Sequence, residues 1–343
     1  MGTAAGVSAF LREDVCARFK EILQEYGRYL GTEQSANVLD NDNWFSPQAL
    51  QEMGKVATQG YGKTLTFEQA YVCDSSALHF GYKTWDDFFV RLFRDGIRPV
   101  YEPKDDSQIV SCCESTPFAL QYNVKLVDKF WIKGQPYSLQ DMFGTSEYGK
   151  IFDGGTVYQA FLSALSYHRW HAPVSGVVQD VFYIPGSYYA GSYWEGFANI
   201  NPITGQPDPD PAGPDHSQGY ICHVATRAVM LIKAADPRIG YMAIIQVGMA
   251  EVSTCEWTVA KGDTITKGQN IGMVSSIPVC LFHPLALNAD SEIVQFHFGG
   301  STHCLIFRKG VQLKWVKDPM VTEDGTNIPV SGRLAQVIAG PTS

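Results

Sequence analysis

Gly299-Gly300-Ser301-Thr302, preceded by Phe296-His297-Phe298, places a serine hydroxyl behind two glycines near the C-terminal end of a 343-residue chain. Glycine reaches backbone conformations that a side chain forbids, so a serine here can turn its hydroxyl onto the carbonyl of its own preceding residue. That attack moves the chain from nitrogen to oxygen. Elimination of the resulting ester leaves the serine as a pyruvoyl group, an electrophilic ketone that supplies chemistry usually carried by a bound cofactor. A plain Gly-Gly-Ser turn between strands fits the same residues. Tyr167-His168-Arg169-Trp170-His171 sets two histidines three apart, near one face if the segment is a helical turn. The pair suits acid–base work near neutral pH, a metal site, or a satisfied place in the core, and no third ligand has convincing zinc spacing. Glu114, in Ser111-Cys112-Cys113-Glu114-Ser115, is the lone carboxylate of its segment. It reads either as a solvated strand end or as the orienter of a histidine in a serine–histidine–carboxylate set.

The elements that must position these residues divide along the chain. Residues 8–30 carry apolar positions at helical spacing, with Ser8 as a cap. Ser46-Pro47 opens a second helix to Thr58, and Thr84 caps a third that starts Trp85-Asp86-Asp87-Phe88-Phe89 and ends by Gly96 and Pro99. From about Ile109 the texture turns to short β-rich runs, with Val174 to Ile184, His223 to Ala234 and Tyr241 to Cys255 strand-like. Lys261-Gly262-Asp263 and Lys267-Gly268-Gln269 read as hairpin turns. Their resemblance to the turn of biotinyl and lipoyl carriers lacks the presented lysine. The expected class is α+β, with a mostly helical region over 1–105 and a β-rich catalytic domain over 106–343. A Gly-, Pro- and Tyr-rich stretch over 185–219 is too long for a passive connection and reads as a lid. Its Tyr188, Tyr189 and Trp194 are candidates to stack on a substrate ring.

Composition narrows the partners. With 26 basic against 35 acidic residues the net charge is −9, which argues against nucleic acid or an anionic membrane surface. No apolar run approaches the ~20 residues of a membrane span, and the first residues lack the features of a signal peptide. Eight cysteines with no CxxC pair read as reduced thiols and not as a disulfide framework. A cytoplasmic protein without a stable membrane anchor is expected.

Taken together, these segments resemble the phosphatidylserine decarboxylase family of self-cleaving pyruvoyl enzymes. The matching blocks run in order from Thr84: Trp85 to Arg91 with Arg98-Pro99, Tyr137-Ser138-Leu139, Tyr167 to Gly176, Val247-Gly248-Met249 and Phe298 to Thr302. Cys113-Glu114-Ser115, Glu251 to Glu256 and Phe296 to Ser301 are similar to the soluble fungal branch that decarboxylates L-tryptophan. Lipid-acting members have aspartate then glycine at the Glu114-Ser115 position. The resemblance implies cleavage between Gly300 and Ser301, with His171 as base, Glu114 as its orienter and Ser301 as the pyruvoyl precursor. His168 is then the acid that protonates the carbanion left by carbon dioxide. It implies a self-made pyruvoyl group with no pyridoxal phosphate and no metal, a small amino-acid substrate, and two fragments that stay associated. Phosphatidylserine decarboxylation and a non-cleaving binding homologue are the alternatives.

One departure precedes the cleavage site. Family members pass almost directly from the glycine-rich turn into the aromatic residues before Gly-Gly-Ser, whereas here Val274 to Gln295 intervenes. The segment reads either as a tolerated loop or, because a valine codon begins GT and Gln295 can be encoded CAG, as a retained intron translated in frame, the sharper of the two readings.

Overall fold

The third helix of the sequence reading forms as a single short turn, because Thr84 accepts from the Asp87 N–H at 3.0 Å and the helical backbone stops at Val90. A computed structural model describes residues 3–59, 63–128, 137–162, 165–210, 213–248, 255–273, 301–318, 320–321 and 325–341. Helices α1 (Ala4–Phe10), α2 (Glu13–Leu30), α3 (Pro47–Thr58), α4 (Phe67–Ala70) and α5 (Trp85–Phe89) precede every strand. The single N-terminal helix expected over 8–30 is two, broken at Leu11 and Arg12. Thr3, not Ser8, caps the first by accepting from the Gly6 N–H. Ser46 caps α3 with Pro47 at its first position, as its sequence dictates.

Strands β1 (Gln108–Val110) and β2 (Thr116–Val124) lead to α6 (Leu139–Phe143) and α7 (Ser146–Phe152), then to β3 (Gly155–Leu162), β4 (Arg169–His171) and β5 (Gly176–Ile184). The chain continues through α8 (Gly213–His216), α9 (Gln218–Val224), β6 (Arg227–Ala234), β7 (Tyr241–Val247), β8 (Glu256–Trp257), β9 (Thr264–Ile265) and β10 (Asn270–Met273). It closes with β11 (Ser301–Phe307), β12 (Gln312–Trp315) and β13 (Arg333–Ala339). The class is α+β. His223 and Val224 finish a helix instead of starting a strand; β7 covers Tyr241–Val247 of the expected run to Cys255, and 249–254 of that run lie outside the described residues. The 185–219 stretch is ordered where described: Ile200 bridges Pro207 across a short hairpin, and α8 and the start of α9 fill its end.

Seven strands form the main sheet in the order β2-β3-β11-β7-β6-β5-β9, all paired antiparallel. Two small sheets, β1-β13-β12 and β4-β10-β8, lie beside it. Alternation along β11 sends His303, Leu305 and Phe307 to one face and Thr302, Cys304 and Ile306 to the other. The first face packs with Phe67, Trp85, Phe88 and Phe89 of the N-terminal helices. The second packs with Phe143 of α6, Phe152 of α7 and Ile221 of α9. β11 is buried along its whole length between β3 and β7. Residues 274–295 and Phe296 to Gly300 lie outside the described residues. The strand before them, β10, belongs to a small sheet, and the strand after them belongs to the large one.

Candidate active site

Ser301 is the first residue of β11, paired with Leu162 of β3, and is 2% exposed. Its hydroxyl has no hydrogen-bond partner among the described residues. Leaving a buried hydroxyl unpaired costs about 1–3 kcal/mol, and such an atom marks a candidate reactive group. The next residue is held firmly. The Thr302 hydroxyl donates to the Ala160 carbonyl at 3.0 Å and accepts from Gln159 Nε2 at 2.9 Å. Gln159 also donates to the Gln218 carbonyl at 2.8 Å and accepts from the Tyr137 hydroxyl. The start of the strand is thus clamped from one face while the serine hydroxyl is presented on the other. Gly300, the partner in the expected cleavage, lies outside the described residues.

On the Ser301 face, His303 pairs in register with Gln246 of β7, and Gln246 Nε2 reaches Cys112 Sγ at 3.6 Å. The Cys112 carbonyl accepts from the His171 N–H at 2.9 Å. The sheet face that carries the serine therefore meets the Cys112-to-Glu114 segment, and that segment meets β4. The segment Tyr167 to His171 is not a helical turn: His168 directly precedes β4 and His171 ends it, so the two side chains diverge. His168 is buried with its ring stacked on Phe89 at 4.2 Å between centroids. His171 Nδ1 lies 2.8 Å from the Gly268 carbonyl and Nε2 lies 3.2 Å from the Tyr167 hydroxyl. Burial lowers the His171 pKa, against the Gly268 carbonyl, which raises it. The ring is consequently neutral near neutral pH, as a base must be.

Glu114 is fully buried, and its carboxylate accepts from Arg98 Nη2 at 2.7 Å, Arg98 Nε at 2.9 Å and the Val330 N–H at 3.0 Å. Burial raises its pKa while the Arg98 guanidinium lowers it. Among the described residues, no hydrogen bond joins Glu114 to His171. The two lie in neighbouring segments, with Phe93 and Tyr167 between: the Arg98 guanidinium sits 4.6 Å from the Phe93 ring centroid, and Phe93 stacks on Tyr167 at 4.4 Å. Arg98, Tyr167, Gln159 and His303 carry no role in the sequence reading. The signal for Arg98 was present, since a lone carboxylate in an uncharged segment demands a cation if it is buried. For Gln159 the sequence holds no signal, because only strand pairing brings it to Thr302.

Tyr188 is buried and Tyr189 is half exposed, its ring 5.0 Å from Phe10 of α1. The side chain of Trp194 lies outside the described residues, as do Glu251 to Thr254. Lys267 points inward, donating to the carbonyls of Glu102, Asp105 and Gln108 at 2.6–3.2 Å, so it is no presented carrier lysine. Among the described residues no helix is long and apolar enough to cross a membrane, and no group of three or more His, Cys, Asp or Glu residues could hold a metal.

A family profile described as phosphatidylserine decarboxylase matches residues 85–284, and a second of the same description matches residues 1–53. A decarboxylase of Amanita muscaria is 36% identical over 339 residues, covering 98% of this chain and 88% of that protein. The L-tryptophan decarboxylase of Psilocybe cubensis is 32% identical, covering 99% of this chain and 71% of its own length. A phosphatidylserine decarboxylase proenzyme of Acinetobacter baumannii is 27% identical over 73% of this chain and 77% of that protein.

Proposed function

The chain belongs to the phosphatidylserine decarboxylase family and is a decarboxylase, and from that premise we propose that it cuts itself between Gly300 and Ser301 and then acts on a free aromatic L-amino acid, L-tryptophan first. The observation that carries the reading is the buried hydroxyl of Ser301 at the tip of a central strand, which has no hydrogen-bond partner among the described residues. It fits the precursor of a pyruvoyl group. His171 takes the hydroxyl proton, and the oxygen adds to the Gly300 carbonyl carbon. The Gly300–Ser301 C–N bond then breaks, with the proton returned to the Ser301 nitrogen. Loss of the Ser301 Cα proton then breaks the Cβ–O ester bond, which frees the Gly300 carboxylate and leaves dehydroalanine; its imine tautomer adds water and releases ammonia to give the ketone. The group so formed supplies an electrophilic ketone and an electron sink for loss of carbon dioxide. His168, buried against Phe89, is the proposed proton donor to the substrate carbon. Glu114 acts at a distance, as the anionic half of a buried ion pair beside the base.

The fragments 1–300 and 301–343 stay together because β11 is hydrogen-bonded on both edges and β13 pairs with β1. Similarity to an L-tryptophan decarboxylase over nearly the whole chain supports the substrate class, and the aromatic 185–219 stretch supplies rings for it. The proposed location is the cytoplasm, and the proposed partner is a small amino acid and not a nucleic acid. The test is to assay the cleaved protein with L-tryptophan, L-phenylalanine and phosphatidylserine vesicles, with Ser301→Ala as control. Tryptamine formation that depends on Ser301 supports the reading. Turnover of the lipid alone assigns the other branch, and an uncut, inactive chain assigns a binding homologue.

A further inference from the structure

The ring of His171 is pinned at both nitrogens. The Gly268 carbonyl can only accept, so at 2.8 Å it requires the hydrogen on Nδ1. In the neutral ring, Nε2 then carries the lone pair, and the group facing that lone pair at 3.2 Å is the Tyr167 hydroxyl. Tyr167 is 3% exposed and its ring stacks on Phe93 with 27° between planes, so its hydroxyl oxygen has little room to move away. Burial raises the phenol pKa, so it keeps its proton and donates it to Nε2. The carboxylate expected to do this work, Glu114, is engaged by Arg98 instead.

We propose that Tyr167 is the positioning residue of His171, holding the ring with Nε2 as its basic nitrogen; the phenol O–H meets that lone pair at rest and rotates off it when the Ser301 proton is taken. The Gly268 carbonyl sets the tautomer, and Tyr167 stops the ring from swinging about its side-chain bonds. When Nε2 takes a proton the contact survives with its direction reversed, because the phenol oxygen then accepts from Nε2–H. The proposal rests on the reading of His171 as the base in self-cleavage. The charged groups around the ring are Arg169 on its own strand, which lowers its pKa, Lys267 in the adjoining turn, and the Arg98–Glu114 pair behind Phe93. Among the described residues none of them hydrogen-bonds the ring, which leaves the two neutral partners to fix it.

The test is nitrogen-15 spectroscopy of the full chain carrying Ser301→Ala, which cannot cleave, with labelled histidine. The eight histidines give few signals, and His171→Gln assigns the one of interest. The expected spectrum shows His171 as the Nδ1–H tautomer with a hydrogen-bonded Nε2 acceptor. Adding Tyr167→Phe, which keeps the ring on Phe93, shifts the Nε2 resonance toward an unbonded acceptor and moves the His171 titration. In the Ser301 chain the same substitution slows cleavage about tenfold, the scale of one lost hydrogen bond, with melting little changed. An Nε2–H tautomer in the parent overturns the proposal without any Tyr167 variant having to fold. So does a Tyr167→Phe chain whose Nε2 resonance and titration match the parent. If the Ser301 chain never cleaves, the self-cleavage reading falls, and the spectrum still decides whether Tyr167 holds His171.

Discussion

Replacing Arg98 by methionine strips the cation from a carboxylate that has no solvent of its own. The side chains of the pair are 6% and 0% exposed, and among the described residues two of the three hydrogen bonds to the Glu114 carboxylate come from Arg98. Breaking a buried pair from one side costs about 3–5 kcal/mol. Protonation of Glu114 limits that cost. Holding a carboxyl of ordinary pKa 4.5 protonated costs about 3.4 kcal/mol at pH 7 and about 0.7 at pH 5, at ~1.36 kcal/mol per unit. The sign is set by burial, which already raises the folded-state pKa of Glu114. A raised carboxyl favours the folded state most at low pH, and that advantage is lost as pH rises above 4.5. Removing Arg98 raises it further, so the destabilisation grows with pH. Urea unfolding in the Ser301→Ala background, where one intact chain is compared, should show Arg98→Met less stable than its parent by about 3 kcal/mol at pH 7 and by about 2 kcal/mol less than that at pH 5. Adding Glu114→Gln should restore part of the loss at pH 7. An equal loss at both pH values, or no gain from the second substitution, refutes the assignment of a buried charge pair.

Two further outcomes concern β11, and a third concerns the segment that precedes it. His303 is fully buried and its pKa is pushed down to about 3, so its contribution is complete above 6.5 and is lost as pH falls toward 3. A His303→Leu chain should therefore keep about 2 kcal/mol more of its neutral-pH stability at pH 5, at ~1.36 kcal/mol per unit, and parallel stability curves contradict this. Thr302→Val removes the bonds to Ala160 and Gln159 and should lower stability by about 1–3 kcal/mol, read from the urea midpoint. Deleting residues 274–295, the proposed retained intron, should raise the fraction of chains that cleave; fragment masses check this, and an unchanged fraction counts against it.

Much of the scaffold was legible because it depends on local rules. Ser46-Pro47 and Thr84 cap helices where their chemistry dictates, and Gly262 and Gly268 hold positive φ in the two turns assigned from Lys-Gly pairs. Apolar content alone misled at His223, since a short amphipathic helix and a buried strand share the same residue types. The histidine pair was found but misplaced, because three-residue spacing reads as one face only when the backbone is helical. The contacts that set the site were not legible as pairs: a buried Glu114 asks for a cation, but nothing in the sequence names which one. Arg98 reaches Glu114 across 16 residues, and His171 reaches Gly268 across 97, so each depends on the packing of segments that no local pattern relates. Gln159 reaches Thr302 across 143 residues for the same reason.

Intact-mass spectrometry of the purified full chain under denaturing conditions, paired with a tryptamine assay on the same sample, tests the central claim most directly. The account predicts two species, residues 1–300 and 301–343, with the smaller lighter by one ammonia than its serine form. It predicts further that Ser301→Ala yields one uncut, inactive chain. A single full-length mass that nonetheless decarboxylates L-tryptophan would contradict it.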